Sequence, residues 1–144
     1  MLKVGITGGI GSGKSTVCEY FSILGIPIYN SDLRAKILMA TDNEIIAGLK
    51  NTFGTDCYLA NNAINKAKLS KLVFENKEAR SIINSIVHPV VKRDFQNWCA
   101  TQTQSPYCIQ ESALLLETDF WTMMDAIIVA HCSIEERTIR IQKR

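Results

Sequence analysis

No run in this 144-residue sequence approaches the roughly 18 consecutive apolar residues that a membrane-crossing helix needs. The opening MLKVGIT, with one lysine and an apolar run broken by glycines, fits neither a signal peptide nor a span. Charge of one sign is also lacking: sixteen Lys plus Arg against fourteen Asp plus Glu leave +2. That balance excludes a dedicated nucleic-acid binder and points to a small anion as partner. The five cysteines, Cys18, Cys57, Cys99, Cys108 and Cys132, include no CxxC pair. Odd in number and scattered, they argue against a disulfide framework and a zinc site, and they suit a reducing cytoplasm. Repeats, low-complexity tracts and Gly/Ser linkers are missing too. With 47% hydrophobic residues, the chain is long enough for one sizeable core and too short for two comfortable domains.

The alternation of patterns predicts an α/β fold with a parallel sheet. Residues 3–7, KVGIT, form a β-branched run ended by glycines. Residues 14–25 then place Val17, Tyr20, Phe21 and Leu24 at helical spacing before Gly25. A second buried strand is expected at 26–30 and a helix at 31–38, capped by Asn30 or Ser31, with Asp32 in its first turn. From 41 the texture turns helical: Thr41 and Glu44 have capping-box spacing, and 56–65 reads as a small hairpin or turn. Two apolar stripes follow, and Pro89 is expected to begin the next helix, carrying Val90, Val91, Phe95 and Trp98. Buried-strand character returns at 107–112 and 126–132, before a helix opened by a Ser133/Glu136 capping box.

Chemistry concentrates first at VGITGGIGSGKSTV, residues 4–17, where Gly8, Gly13, Lys14 and Ser15 match GxxxxGK[ST] between a strand and a helix. Glycines there let backbone N–H groups face an anion at the positive end of a helix. Gly9, Ile10, Gly11, Ser12, Gly13, Lys14, Ser15 and Thr16 are the expected nucleotide-binding residues. Lys14 would reach the β and γ phosphates, and Ser15 would ligate Mg²⁺. Asp32 follows strand two on the side where strand one delivers this loop, which suits a carboxylate that orients an acceptor hydroxyl. Glu111 ends its strand where it could hold an Mg²⁺-bound water beside Ser15. Glu117, six residues on, reads better as a surface residue. Arg137, Arg140 and Arg144 recur at steps of three and four, presenting guanidiniums from one helix face. His88, lone among apolar residues, reads on its own as a hydrogen-bonded packing residue. A GTPase switch would need an NKxD-type guanine motif, and none occurs.

Taken together and in order, GITGGIGSGKST, IYNSD, INSIVHPVV, ESALLLE and RTIRIQKR resemble dephospho-CoA kinase along nearly the whole chain. The resemblance implies a P-loop NTPase-type three-layer parallel sheet with helices on both faces. Its core would be 1–40 and 105–133, its helical acceptor-binding insert about 41–104, and the start of a lid about 134–144. It implies transfer of the γ-phosphoryl of ATP to the ribose 3′-hydroxyl of dephospho-CoA, the last step of coenzyme A synthesis, with Mg²⁺. The family's strand-two acid falls on Asp32, the HP pair on His88 and Pro89, the acid opening the PLL segment on Glu111, and the lid arginines on Arg140 and Arg144. Asn30 departs from an acid often seen there, Ala113 from a proline, and Asn65 with Lys66 from Asp-Arg. The family runs on past its lid arginines, so this chain is expected to be the front part of such an enzyme, monomeric or weakly self-associating. Two other readings remain: another P-loop kinase, of the nucleoside-monophosphate or shikimate type, and a non-catalytic nucleotide-binding module that would not need Asp32.

A first test follows from the motif. Lys14→Ala removes the charge that stabilises the transferring phosphoryl, so turnover is expected to fall by well over tenfold, on the order of several kcal/mol of transition-state stabilisation. A steady-state kinase assay in which activity stays within tenfold of wild type would sink the phosphate-loop assignment.

Overall fold

The computed structural model describes residues 1–61 and 63–143. A short parallel sheet organises the chain. It contains β1 (Leu2–Thr7), β2 (Ile28–Asn30), β3 (Tyr107–Glu111) and β4 (Ala126–Val129), in spatial order β2-β3-β1-β4. Every pairing is parallel, with Ile6 of β1 and Asn30 of β2 both in register with Glu111 of β3. The C-terminal ends of β1, β2 and β3 therefore meet at one edge, where open α/β sheets present their functional loops.

The helices are α1 (Lys14–Ile23), α2 (Ser31–Thr41), α3 (Asn43–Phe53), α4 (Lys66–Glu75), α5 (Lys77–Thr101) and α6 (Ile134–Gln142). The chain divides into two compact units: Met1–Asp32 with Phe95–Arg144, and Leu33–Asp94. In the first, alternate strand residues face opposite ways, so both sheet faces acquire a helical cover. Ile6 and Ile109 pack with Cys18, Val17 and Phe21 of α1 on one face. On the other, the Tyr29 ring meets Phe95 at 5.0 Å and Trp98 at 5.3 Å between centroids, both from the end of α5. In the second unit, Ile45 and Leu49 of α3 and Cys57 of the turn that follows are fully buried, and Tyr58 beside it is buried. Gly48 lets Ile86 of α5 approach, since a side-chain carbon there would stand 3.0 Å from it. The Arg34 guanidinium makes a bidentate pair with Asp94 at 2.6 and 2.9 Å, joining α2 to α5.

Three local expectations are corrected. Asp42 caps α3, its carboxylate accepting from the Glu44 and Ile45 amides, while Thr41 belongs to the last turn of α2. The shorter carboxylate stands one residue nearer the first turn and takes both amides. Pro89 begins no helix: α5 runs unbroken from Lys77 to Thr101 with Pro89 inside. A proline removes one ladder hydrogen bond, but Ile83, Val87, Val90, Val91 and Phe95 are buried on both sides of it. Burial of that stripe outweighs the lost bond. Third, β4 is exposed although its composition reads as buried, with Val129 at 60%. As one of the two outer strands of the sheet, β4 has a neighbour on β1's side only among the described residues. The expected hairpin is an antiparallel bridge between Tyr58 and Ile64; Asn62 within it lies outside the described residues.

Phe95 anchors the aromatic layer at 0% exposure. Phe95→Ala should cost about 3–5 kcal/mol of unfolding free energy, read from urea denaturation; a loss under about 1 kcal/mol would mean that the layer does not hold the sheet to α5.

Candidate functional site

Between β1 and α1 the chain turns through glycines because other residues cannot follow its path. Gly8 has φ 149°, and a side-chain carbon on it would lie 2.3 Å from the Ala130 carbonyl oxygen. Gly13, at φ 96°, is the left-handed residue from which α1 starts. No side chain caps α1 and no acid occupies its first turn, so its first amides and positive dipole end face the loop. The Ser12 hydroxyl is buried and, among the described residues, has no hydrogen-bond partner. An orphaned donor beside uncapped helix amides is what a phosphate oxygen would satisfy.

Basic groups converge on the same loop. The Lys14 ammonium donates to the Gly8 carbonyl at 2.7 Å and to that of Gly9 at 3.4 Å. From α6, Arg137 Nε donates to the Ile10 carbonyl at 2.8 Å and Arg140 to that of Gly11 at 3.3 Å. Arg137 lies so close that a side chain on Gly9 would strike its guanidinium at 2.5 Å. Arg140 also stands 3.7 Å from Glu136. A groove of about 530 Å³ runs along this surface, lined by Gly11, Ser12, Gly13, Thr16, Arg140 and Lys143 among others. Arg144 lies outside the described residues.

The acids occupy the adjoining strand ends. Glu111, 7% exposed, accepts from the Ser15 hydroxyl through Oε1 and from the Asn30 side-chain amide through Oε2, each at 2.7 Å. This carboxylate is therefore oriented by two donors and directed at the first turn of α1. Its charge is felt by Cys18 beneath it: burial first, then Glu111, pushes that thiol up to about 11, against the pull of Lys14. Cys18 is a packing residue rather than a nucleophile. Asp32, itself exposed, lies in the first turn of α2, immediately after β2. Glu117 is exposed, as its surface reading anticipates. His88, half-buried, and Pro89, exposed, belong to α5 in the Leu33–Asp94 unit.

Lys14, Ser15, Glu111, Arg137 and Arg140 are thus brought around one loop, and Asp32 follows the strand beside Glu111. The sequence marks Asn30 as a candidate helix cap and as a departure from a family pattern, and its bond to Glu111 is visible only once β2 is known to pair with β3. For Mg²⁺, the donor set of Ser15 hydroxyl and Glu111 carboxylate fits. Mg²⁺ prefers oxygen, keeps several waters and needs only one or two protein ligands beside phosphate.

The Asn30–Glu111 pair makes a prediction about charge. Asn30→Asp replaces a donor with a second carboxylate, and like charges raise the pKa of one member in the folded state. In metal-free buffer the variant should lose about 1–2 kcal/mol of stability at neutral pH and regain it as pH falls through the raised pKa. Urea midpoints at pH 7.5 and pH 5, compared with wild type, test this; equal losses at both pH values would refute it.

Comparisons with known proteins bear on the whole chain. Residues 2–144 match the family described as dephospho-CoA kinase. A dephospho-CoA kinase of Bacteroides fragilis is 35% identical over 143 residues, covering 99% of this chain and 69% of that protein. Among solved structures, one from Thermus thermophilus has TM-score 0.82 and 29% identity, over 99% of this chain and 72% of the other. A dephospho-CoA kinase from Campylobacter jejuni, at TM-score 0.64 and 18% identity over 98% of this chain and 94% of that one, shares the fold.

Proposed function

This chain belongs to the dephospho-CoA kinase family, whose ATP-dependent phosphoryl transfer to dephospho-CoA it carries out, and we propose that the loop from Gly9 to Thr16 with Asp32, Glu111 and Arg140 performs it. The single observation that carries these roles is the meeting of Ser15 and Glu111 beside the uncapped start of α1. A helix that leaves its first amides unused offers them to phosphate oxygens, and the Ser12 hydroxyl adds one more donor. Lys14, now bonded to loop carbonyls, carries the cation that would move onto the transferring group.

Ser15 and Glu111 are the residues that would hold Mg²⁺, which supplies neutralising charge on the phosphates when bound. The Asn30 amide keeps the Glu111 carboxylate turned toward Ser15. Asp32 accepts or orients the proton of the ribose 3′-hydroxyl, since it is the acid in the turn after β2 at the functional edge. Arg140, with Arg137 beside it, meets charge that grows on the phosphoryl in the transition state. Arg144 is proposed for the same task on resemblance alone.

The Leu33–Asp94 unit, which contains His88 and Pro89, is the proposed acceptor-binding part. Among the described residues no helix is long and apolar enough to cross a membrane. A reducing cytoplasm suits the buried thiols of Cys18, Cys57, Cys99 and Cys108. The reading requires neither nucleic acid nor membrane as partner, and a monomer or weak homo-oligomer suffices for it.

The deciding experiment concerns Asp32. Asp32→Asn keeps shape and removes charge, so kcat for transfer from ATP to dephospho-CoA should fall by on the order of a hundredfold or more, with ATP affinity within about twofold of wild type. Collapse of ATP binding along with the rate would make Asp32 a metal or structural residue instead.

A further inference from the structure

Beside Glu111 lies a residue with no part in the account so far. Gln110 is fully buried in β3, in register with Tyr29 of β2 and Gly5 of β1. Registered neighbours on parallel strands share a face, so its side chain lies in the layer where Tyr29 packs on Phe95 and Trp98. An apolar residue would be the cheaper occupant. The Gln110 side-chain carbonyl is buried and, among the described residues, accepts no hydrogen bond. Burying an acceptor without a donor is destabilising, because its water hydrogen bonds are lost and not replaced. The other end of the amide makes one bond: Nε2 donates to the hydroxyl of Ser31 at 2.8 Å, across a sequence separation of 79. Ser31 is itself buried, and it is the first residue of α2, directly before Asp32.

Together with the Asn30–Glu111 bond, this ties the β2–α2 junction to the end of β3 at consecutive positions on both segments. Asn30 reaches Glu111, and Gln110 reaches Ser31. We infer that Gln110 is a positioning residue for Asp32: through Ser31 it fixes the first turn of α2 and thereby the carboxylate that faces the acceptor hydroxyl. The inference rests on the proposed role of Asp32. Gln110 touches no reacting atom. Its effect is orientation, and orientation acts on kcat because a displacement of an ångström or less in a catalytic group slows transfer without weakening nucleotide binding.

The test uses Gln110→Leu, which keeps approximate shape and removes the orphaned carbonyl. Its urea midpoint should equal or exceed that of wild type. The kcat for transfer to dephospho-CoA should fall on the order of tenfold with the KM for ATP unchanged. Hydrogen exchange of the backbone amides at 32–35 should speed by on the order of tenfold. Ser31→Ala, which removes the acceptor from the opposite side and serves equally if Gln110→Leu does not fold, should reproduce both effects. The double variant should be no slower than either single one, since both break the same bond. Unchanged kcat and exchange in the folded variants, or effects that multiply in the double variant, would overturn the inference. Asp32→Asn is measured alongside. A drop there with none in Gln110→Leu or Ser31→Ala overturns the positioning role and leaves the reading of Asp32 intact. Undiminished kcat in Asp32→Asn overturns that reading, and this inference with it.

Discussion

Parallel pairing of β3 with both β1 and β2 is the constraint on which the site depends. Because Ile6, Glu111 and Asn30 share one register, the loop after β1, the acid ending β3 and the junction after β2 emerge at the same level. A shift of one residue in β3 would turn Glu111 to the other face and put Gln110 in its place. Ser15 and Asn30 would then lose their acceptor, and Ser31 its donor. The hydrophobic pattern guards against this. Ile109 at 0% exposure belongs with α1, while Tyr29 on the opposite face belongs with Phe95 and Trp98. Packing on two faces sets the register, and the register places the chemistry.

Electrostatic arrangement at this edge follows a division of labour between backbone and side chains. The helix start and the glycine turn offer fixed partial positive charge, which costs no reorganisation when an anion arrives. Lys14, Arg137 and Arg140 add full charges, whose present partners are loop carbonyls rather than carboxylates, apart from the 3.7 Å approach of Arg140 to Glu136. Carbonyl partners are weaker competitors for a guanidinium than an acid would be. Glu111, the buried acid among the described residues, has both oxygens engaged by neutral donors rather than by a cation.

Much of the fold was legible because it is locally encoded. The β-branched run before the glycines, the helical spacing of Val17, Tyr20, Phe21 and Leu24, and the Ser133 cap of α6 all depend on residues within a few positions of one another. Failures came where distant burial overruled local signals. Pro89 carries a strong start signal, yet the buried stripe through Ile83, Val87, Val91 and Phe95 keeps the helix continuous across it. β4 has the composition of a core strand but occupies an outer position, which no local pattern reveals. Ser133 accepts from the Glu136 amide as a capping box requires, while the Glu136 carboxylate takes the Cys132 thiol instead of completing the box.

The sequence by itself determined the phosphate loop, the strand and helix that flank it, and the presence of an acid just after β2 and of another at the end of β3. Those features lie within contiguous segments whose residue types set φ, capping and hydrophobic period directly. Only the tertiary structure decided that Glu111 meets Ser15 across 96 positions, that Asn30 turns this carboxylate, and that Gln110 holds Ser31. The sheet order β2-β3-β1-β4 makes neighbours of strands that are not consecutive in the chain. Which side chains then face one another depends on a register selected by burial summed over two faces, a cooperative quantity that no short stretch of residues contains.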